Sequence, residues 1–307
     1  EEAKKYVEQN LLNFVVAPVQ QLVKETSMTL SLFEDEYIEF INNSYSAKYL
    51  KSVKLSFRKF KETIEDKPIK NISARDVEYF ITKTFITAQH ASHLYHRTLK
   101  AAFSKAVVWE YLDKNPFKVV KPPKVVKKSP AFITSEELRN ICETESDQQF
   151  SNIYYFAFYS GMRIGEITNL RWNCIDFKNQ TINVINSKIF KTKSKVDRSI
   201  PMHPQIKTIL QNSSKRRATN LVFTNTNAIK LNEEHVSKKF KKALRLSKVR
   251  NEIRFHDLRH SFASSLVQKG VPLYVIKELL GHSDISTTQI YAHLQNDQLV
   301  EAIGLLK

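Results

Sequence analysis

Between residues 29 and 112 apolar side chains recur every three or four positions, the spacing that gathers them on one face of an α-helix. In the segment Thr29 to Ile41, Leu30, Phe33, Tyr37, Ile38 and Ile41 share such a face. The period continues from Tyr45 to Ile64 and from Ser73 to Thr84, where Ser73 and Asp76 have the spacing of a capping box. A fourth helix is expected from His93 to Leu112, with Leu94, Leu99, Ala102, Phe103, Val107 and Val108 as its apolar positions. Pro116 is expected to end it, because proline brings no amide hydrogen to the ladder. Residues 1–27 read as an additional helical arm.

Beyond residue 130 the pattern changes. Thr134-Ser-Glu-Glu137 has the capping-box spacing that opens a helix. Ser151 to Ser160 is apolar and aromatic, a helix expected to be buried. Trp172 to Ile185 holds two short β-prone runs around a turn at Lys178-Asn179-Gln180. Lys195 to Pro201 reads as a third strand, ended by proline. From Glu233 onward the chain returns to helix. The fold class is therefore mainly α (α+β), with a small three-stranded antiparallel sheet in its second half. The lysine-rich stretch 118–130 contains Pro122, Pro123 and Pro130 and no acid. Proline pairs and like charges keep such a segment extended, so it reads as a linker. The expected organisation is a helical arm (1–27), a helical domain (28–117), the basic linker (118–130) and a mixed domain (131–307).

Charge sharpens this picture. The chain has 307 residues, 42% hydrophobic, with a net charge of +17 and a pI near 9.6. Residues 1–50 carry 4 basic and 8 acidic side chains, a net −4, while residues 51–130 reach +11 and residues 131–307 reach +10. Such a balance is the electrostatic footprint of a nucleic-acid binder, and both later segments are expected to face the polyanion. Cys142 and Cys174 form no paired framework, which fits a reducing cytoplasm and argues against a disulfide scaffold or zinc knuckle. No apolar run approaches the roughly 18 residues of a membrane helix. The flank Glu1-Glu2-Ala-Lys-Lys is not that of a signal peptide.

The candidate chemistry lies in four short motifs. A phosphodiester gains negative charge on its non-bridging oxygens when attacked, so catalysis must supply preorganised donors there. Arginine suits this because its planar fork donates in pairs and stays protonated. Arg163 follows Gly161 at the start of a helix, and Arg259 follows His256 by three residues, on the same helical face. His256 and His260 have the i, i+4 spacing of metal-binding helices, but Arg259 shares that face and would repel a cation. His256 and His282 therefore fit proton transfer or phosphate binding, and His260 fits a packed or hydrogen-bonded structural role. Gly281 reads as a helix C-cap with His282 just beyond it, and Ser286 as the cap of a new helix bearing Tyr291. A tyrosine oxygen forms a covalent phosphoester once its proton is drawn off.

Arg163, His256-x-x-Arg259, His282 and Tyr291, in this order, resemble the tyrosine recombinase (phage integrase) family. The words that carry the resemblance are Ser160-Gly-Met-Arg-Ile-Gly-Glu166, Phe255-His-Asp-Leu-Arg-His-Ser-Phe-Ala263, and Leu279-Leu-Gly-His-Ser283 through Tyr291. The match to the catalytic domain runs from about residue 130 to the C-terminus, and 28–115 is similar to the family's SAM-like core-binding domain. The resemblance implies a site-specific DNA recombinase, active in integration, excision or dimer resolution, with Tyr291 as nucleophile giving a 3′-phosphotyrosine and a free 5′-hydroxyl. Arg163 and Arg259 would hold the scissile phosphate, His256 would assist proton transfer from Tyr291, and His282 would bond the phosphate. A lysine of the hairpin loop would be the general acid. Lys193 is favoured, Lys191 is second, and Lys191 and Lys195 are also candidate DNA contacts. Arg97, Lys100, Lys121 and Lys124 are expected to contact DNA from the helical domain and linker. Glu166 is expected to orient its helix rather than act in the chemistry. No metal, ATP or other cofactor is required. The implied partners are duplex DNA with specific sites and a homotetramer formed on it, with the apolar tail 292–307 docking on a neighbouring subunit. The implied setting is the cytoplasm, at the nucleoid. A type IB topoisomerase-like enzyme and a non-catalytic architectural DNA-binding protein are the alternatives.

Overall fold

Three of the first four helices start at a residue whose side chain accepts an amide that the helix itself leaves unbonded. Thr29 accepts the Leu32 amide and opens α1 (Leu30–Asn42), and Ser46 accepts that of Tyr49 and opens α2 (Ala47–Ile64). Ser73 and Asp76 form the expected capping box at the head of α3 (Ala74–Thr87). The fourth, α4 (Gln89–Val108), has no side-chain cap. The computed structural model describes residues 28–125, 129–186, 196–215 and 219–295. The chain divides into two compact units, residues 1–127 and 128–307. The proposed arm 1–27 lies outside the described residues.

The core of the first unit is aromatic. Phe33, Phe57, Phe60, Phe80, Phe103 and Phe117 are fully buried, with ring centroids 5.0 Å apart for Phe60 and Phe80 and 4.9 Å for Phe103 and Phe117. Each such side chain contributes roughly 1.5–3 kcal/mol of burial. α4 ends at Val108, short of the expected Leu112, because Glu110 takes a positive φ of 63° that breaks the ladder. Pro116 instead opens a 3₁₀ turn, Pro116–Lys118. Val108 is consequently exposed, and the buried face of α4 is Tyr95, Leu99, Ala102, Phe103 and Ala106.

In the second unit, the Thr134–Glu137 capping box starts α5 (Ser135–Glu143), followed by the buried α6 (Gln148–Ser160) and the short α7 (Ile164–Thr168). The sheet comprises β1 (Ile175–Asp176), β2 (Thr181–Val184) and β3 (Arg198–Pro201), antiparallel in that order. Ile182 pairs with Ile200, and alternation buries Ile182, Val184 and Ile200 on one face. A helix absent from the sequence reading, α8 (Pro204–Ser214), follows. Its signals were Pro204 at the first helical position, His203 accepting the Gln205 amide, and buried Ile206, Ile209 and Leu210. Then come α9 (Glu233–Leu246), α10 (Asp257–Gln268) and α11 (Leu273–Leu280), and two 3₁₀ segments, Ile285–Thr287 and Gln289–Gln295. Asp284, not Ser286, caps the first of these, its carboxylate accepting both the amide and the hydroxyl of Ser286. Tyr291 thus rides a 3₁₀ turn, packed with Ala263, Val267, Ile276 and Leu280 in a small core of their own.

Candidate active site

The site is assembled by helix ends. α6 stops at Gly161, which takes the left-handed conformation at φ +61°, and a Cβ there would collide with the ring of Phe262. The reversal delivers Arg163 to the head of α7. Glu166 accepts the Arg163 amide at 2.9 Å and its Nη1 at 2.9 Å. From β3, Arg198 donates Nη2 and Nη1 to the same carboxylate at 2.6 and 3.2 Å, and Nε to the Leu279 carbonyl at 3.0 Å. Burial would raise the Glu166 pKa, but Arg198 and then Arg163 outweigh it and hold the group below the usual carboxylate range. One buried carboxylate therefore carries two guanidinium groups.

Arg259, one turn into α10, is 3% exposed and donates to two carbonyls, Gly161 and Leu280, at 2.7 Å each. These bonds tie the end of α6 to the end of α11. Burial, then the like charge of Arg163, pushes its pKa down to about 9, still a cation at neutral pH and one that gains from an anion nearby. Past α11, Gly281 is left-handed at φ +65°, as a C-cap should be, and the His282 amide donates back to Lys277. Nδ1 of His282 lies 2.9 Å from the Thr288 hydroxyl. Burial and the charges of Arg259, Arg163 and Arg198 push its imidazole down to about 3.

His256 sits at the exposed N-cap of α10, its ring edge-on to His260 with centroids 5.2 Å apart. Desolvation of the packed part of the ring, then His260 and Arg259, lower its pKa to about 4. His260 is half-buried, and its Nδ1 lies 2.5 Å from the Tyr291 hydroxyl. Tyr291 is 1% exposed; burial raises its phenol to about 12, with Arg259 pulling the other way.

Five residues expected from the sequence are thus brought together. The charge of Arg163 bears on His256, Arg259 and His282, and that of Arg259 bears on Tyr291. Lys191, Lys193 and Lys195 lie outside the described residues; the ends of their segment are joined by Asn186, which donates to Asp197 at 2.7 Å. Arg97, Lys121 and Lys124 are exposed and Lys100 half-buried, all in the first unit. Among the described residues, no three His, Cys, Asp or Glu side chains gather as a metal site, and no helix is long and apolar enough to cross a membrane. Two residues gain importance that the sequence did not give them. Arg198 is one basic residue among many in its stretch, and nothing short of the folded sheet links it to Glu166. The contact of His260 with Tyr291 joins residues 31 positions apart. Chemically, the arrangement offers arginine forks and imidazole donors to a tetrahedral anion, with a phenol beside them.

Residues 132–298, more than half of the chain, match the model of the phage integrase family. The chain is 30% identical over 296 residues to tyrosine recombinase XerC of Pediococcus pentosaceus, covering 89% of this chain and 95% of that protein. Its fold is similar to that of a lambda integrase tetramer bound to a Holliday junction, with a TM-score of 0.73 and 20% identity over 92% of this chain and 87% of the other. It is similar also to the Tn1549 transposon integrase in complex with transposon right end DNA, with a TM-score of 0.74 and 19% identity over 90% of this chain and all of the other.

Proposed function

The chain belongs to the phage integrase family and is a site-specific tyrosine recombinase, and we propose that its chemistry is divided among Arg163, Arg259, His256, His282 and Tyr291. The enzyme cleaves and rejoins DNA through a 3′-phosphotyrosine. In this reading Tyr291 is the nucleophile and Arg163 and Arg259 hold the scissile phosphate. The carrying observation is the convergence of Arg259, itself bonded to the Gly161 and Leu280 carbonyls, with Arg163, His282 and Tyr291. Arg198 neutralises the second half of the Glu166 demand, so that Arg163 keeps positive charge for the phosphate. His282 is neutral at working pH. With the Thr288 hydroxyl donating to Nδ1, its Nε2–H, without a hydrogen-bond partner among the described residues, can donate to a non-bridging oxygen. His256, exposed at the helix N-terminus, assists proton transfer from Tyr291 by exchange with solvent.

The general acid for the departing 5′-oxygen is assigned to Lys193, with Lys191 second. The two compact units correspond to a core-binding domain and a catalytic domain joined by the basic linker, and both bind duplex DNA. Arg97, Lys100, Lys121, Lys124 and Lys195 contribute phosphate contacts, and the DNA carries specific recombination sites. Assembly is a homotetramer through residues 292–307, and a chain ending at Leu294 that still formed tetramers on DNA would contradict that role. An enzyme acting on DNA in this way works in the cytoplasm, at the nucleoid. A covalent tyrosine preserves the energy of the broken bond, so strands reseal without ATP.

A nicked suicide duplex, selected from a random-sequence pool for binding to this protein, tests the reading. The expected result is a covalent protein–DNA adduct, lost in Tyr291→Phe. Strand transfer between two such duplexes separates recombination from topoisomerase-like relaxation. An adduct that survives Tyr291→Phe would refute the assignment.

A further inference from the structure

The hydroxyl of Tyr291 meets Nδ1 of His260 at 2.5 Å, and this imidazole is its hydrogen-bond partner among the described residues. His256, the N-cap of α10, packs on His260 with ring centroids 5.2 Å apart, and His260 packs on Tyr291 with centroids 5.8 Å apart. An activated nucleophile is recognised by a base within hydrogen-bond reach of it. We infer that His260 is a catalytic residue, the group that takes the phenol proton when Tyr291 attacks DNA and returns it when the strand is resealed. The inference rests on the reading of Tyr291 as the nucleophile.

The step balances as follows. The Oη–H bond of Tyr291 breaks as the Oη–P bond forms, and the proton passes to Nδ1 of His260. The P–O5′ bond breaks, and the departing oxygen takes a different proton, from the lysine assigned above. Resealing runs the same transfers backwards, with His260 returning its proton to the leaving phenol.

The surroundings suit an acceptor. The groups facing the imidazole are Arg259 and His256 on its own helix, Tyr291 on the last 3₁₀ segment, and His282 beyond α11. Burial and the charge of Arg259 push His260 down to about 4, so the ring is neutral at neutral pH, and the tautomer with its proton on Nε2 leaves Nδ1 as the acceptor the step requires. The same two influences oppose its protonation while no anion is bound. A phosphate diester held by Arg163 and Arg259 brings the negative charge that offsets them, so proton transfer is coupled to DNA binding. The DNA-free site consequently keeps the phenol protonated and its proton in hand.

The test uses the nicked suicide duplex and single-turnover adduct formation. His260→Asn leaves an amide atom near the position of Nδ1 but no base, and His260→Gln, whose amide lies nearer the position of Nε2, is a second variant without a base. Removing a positioned base is expected to slow adduct formation about 100-fold or more, with duplex affinity retained. Each variant is then made again with difluorotyrosine at position 291, whose more acidic phenol needs a base less. The fluorinated side chain is expected to recover at least tenfold of the lost rate in the variants and little in the parent. Cleavage by His260→Asn within threefold of the parent would overturn the inference. So would a slow variant that gains nothing from the fluorinated phenol, or loss of duplex affinity in both variants, which would assign His260 to the fold. Failure of the underlying reading looks different: either the parent forms no adduct, or Tyr291→Phe still forms one.

Discussion

Replacing Arg198 by methionine removes three hydrogen bonds at once, those to Glu166 at 2.6 and 3.2 Å and that to the Leu279 carbonyl at 3.0 Å. The Arg198 and Glu166 side chains are only 5% and 2% exposed, so water cannot replace what is lost. Breaking a buried ion pair by removing one partner is destabilising by about 3–5 kcal/mol. Arg163 remains on Glu166 and methionine keeps the apolar stem, which places the expected loss at the lower end, about 3 kcal/mol. In a unit of this size that corresponds to roughly 6–12 °C in melting temperature. The chemical effect follows from charge. With Arg198 gone, Glu166 is answered by Arg163 alone, and the guanidinium meant for the phosphate is held internally. Losing one preorganised donor slows the step by about 100-fold or more. Arg198→Lys keeps the charge but not the two-pronged geometry and should fall between the two. Urea unfolding followed by tryptophan fluorescence in a Trp109→Phe background, where Trp172 is the reporter, with single-turnover adduct formation on the same preparations, measures both effects. A methionine variant that unfolds within 0.5 kcal/mol (roughly a factor of two in the equilibrium constant) of the parent and cleaves at the parental rate would refute the reasoning.

Other consequences are as specific. Gly281→Ala forces a side chain into a left-handed position and sets its Cβ 2.8 Å from Arg198 Cδ, so a loss of about 2 kcal/mol or more is expected in urea unfolding, with slowed cleavage. Gly165→Ala, whose nearest neighbour is the flexible end of Glu233 at 3.1 Å, should stay within about 1 kcal/mol of the parent. Ser73→Ala removes the capping box of α3 and should lower stability by about 1 kcal/mol without altering the rate of adduct formation on bound duplex. The folded pKa values of His256, His260 and His282 lie near 4, 4 and 3, below their ordinary 6.5. Between those values the unfolded chain binds protons that the folded one refuses, so stability is level above about pH 6.5 and falls as pH drops toward 4. Thermal melts of the DNA-free protein at pH 7, 6 and 5 should show this fall, shallower in His260→Asn; a flat series would contradict the assigned environments.

Helical periodicity made α1 to α3 legible in the sequence, and local chemistry made the starts of α3 and α5 legible, because Ser73–Asp76 and Thr134–Glu137 act within one turn. The end of α4 was not, since the positive φ at Glu110 is imposed on a residue with no preference for it. α8 is hard to read from sequence because its apolar face is only three residues, Ile206, Ile209 and Leu210, in a polar run. The catalytic set could be read because each member stands in a short motif. The bonds that organise it could not, because they join distant segments: Glu166 to Arg198 across 32 positions, Arg259 to Gly161 across 98, and His260 to Tyr291 across 31. Sequence spacing names the donors, while tertiary contact decides which of two histidines on one helix meets the phenol.

The most direct measurement is peptide mapping of the covalent adduct. After nuclease trimming and proteolysis, mass spectrometry should find a nucleotide joined through its 3′-phosphate to the peptide carrying Tyr291. A nucleotide joined to any other side chain, or through its 5′-phosphate, would contradict the account.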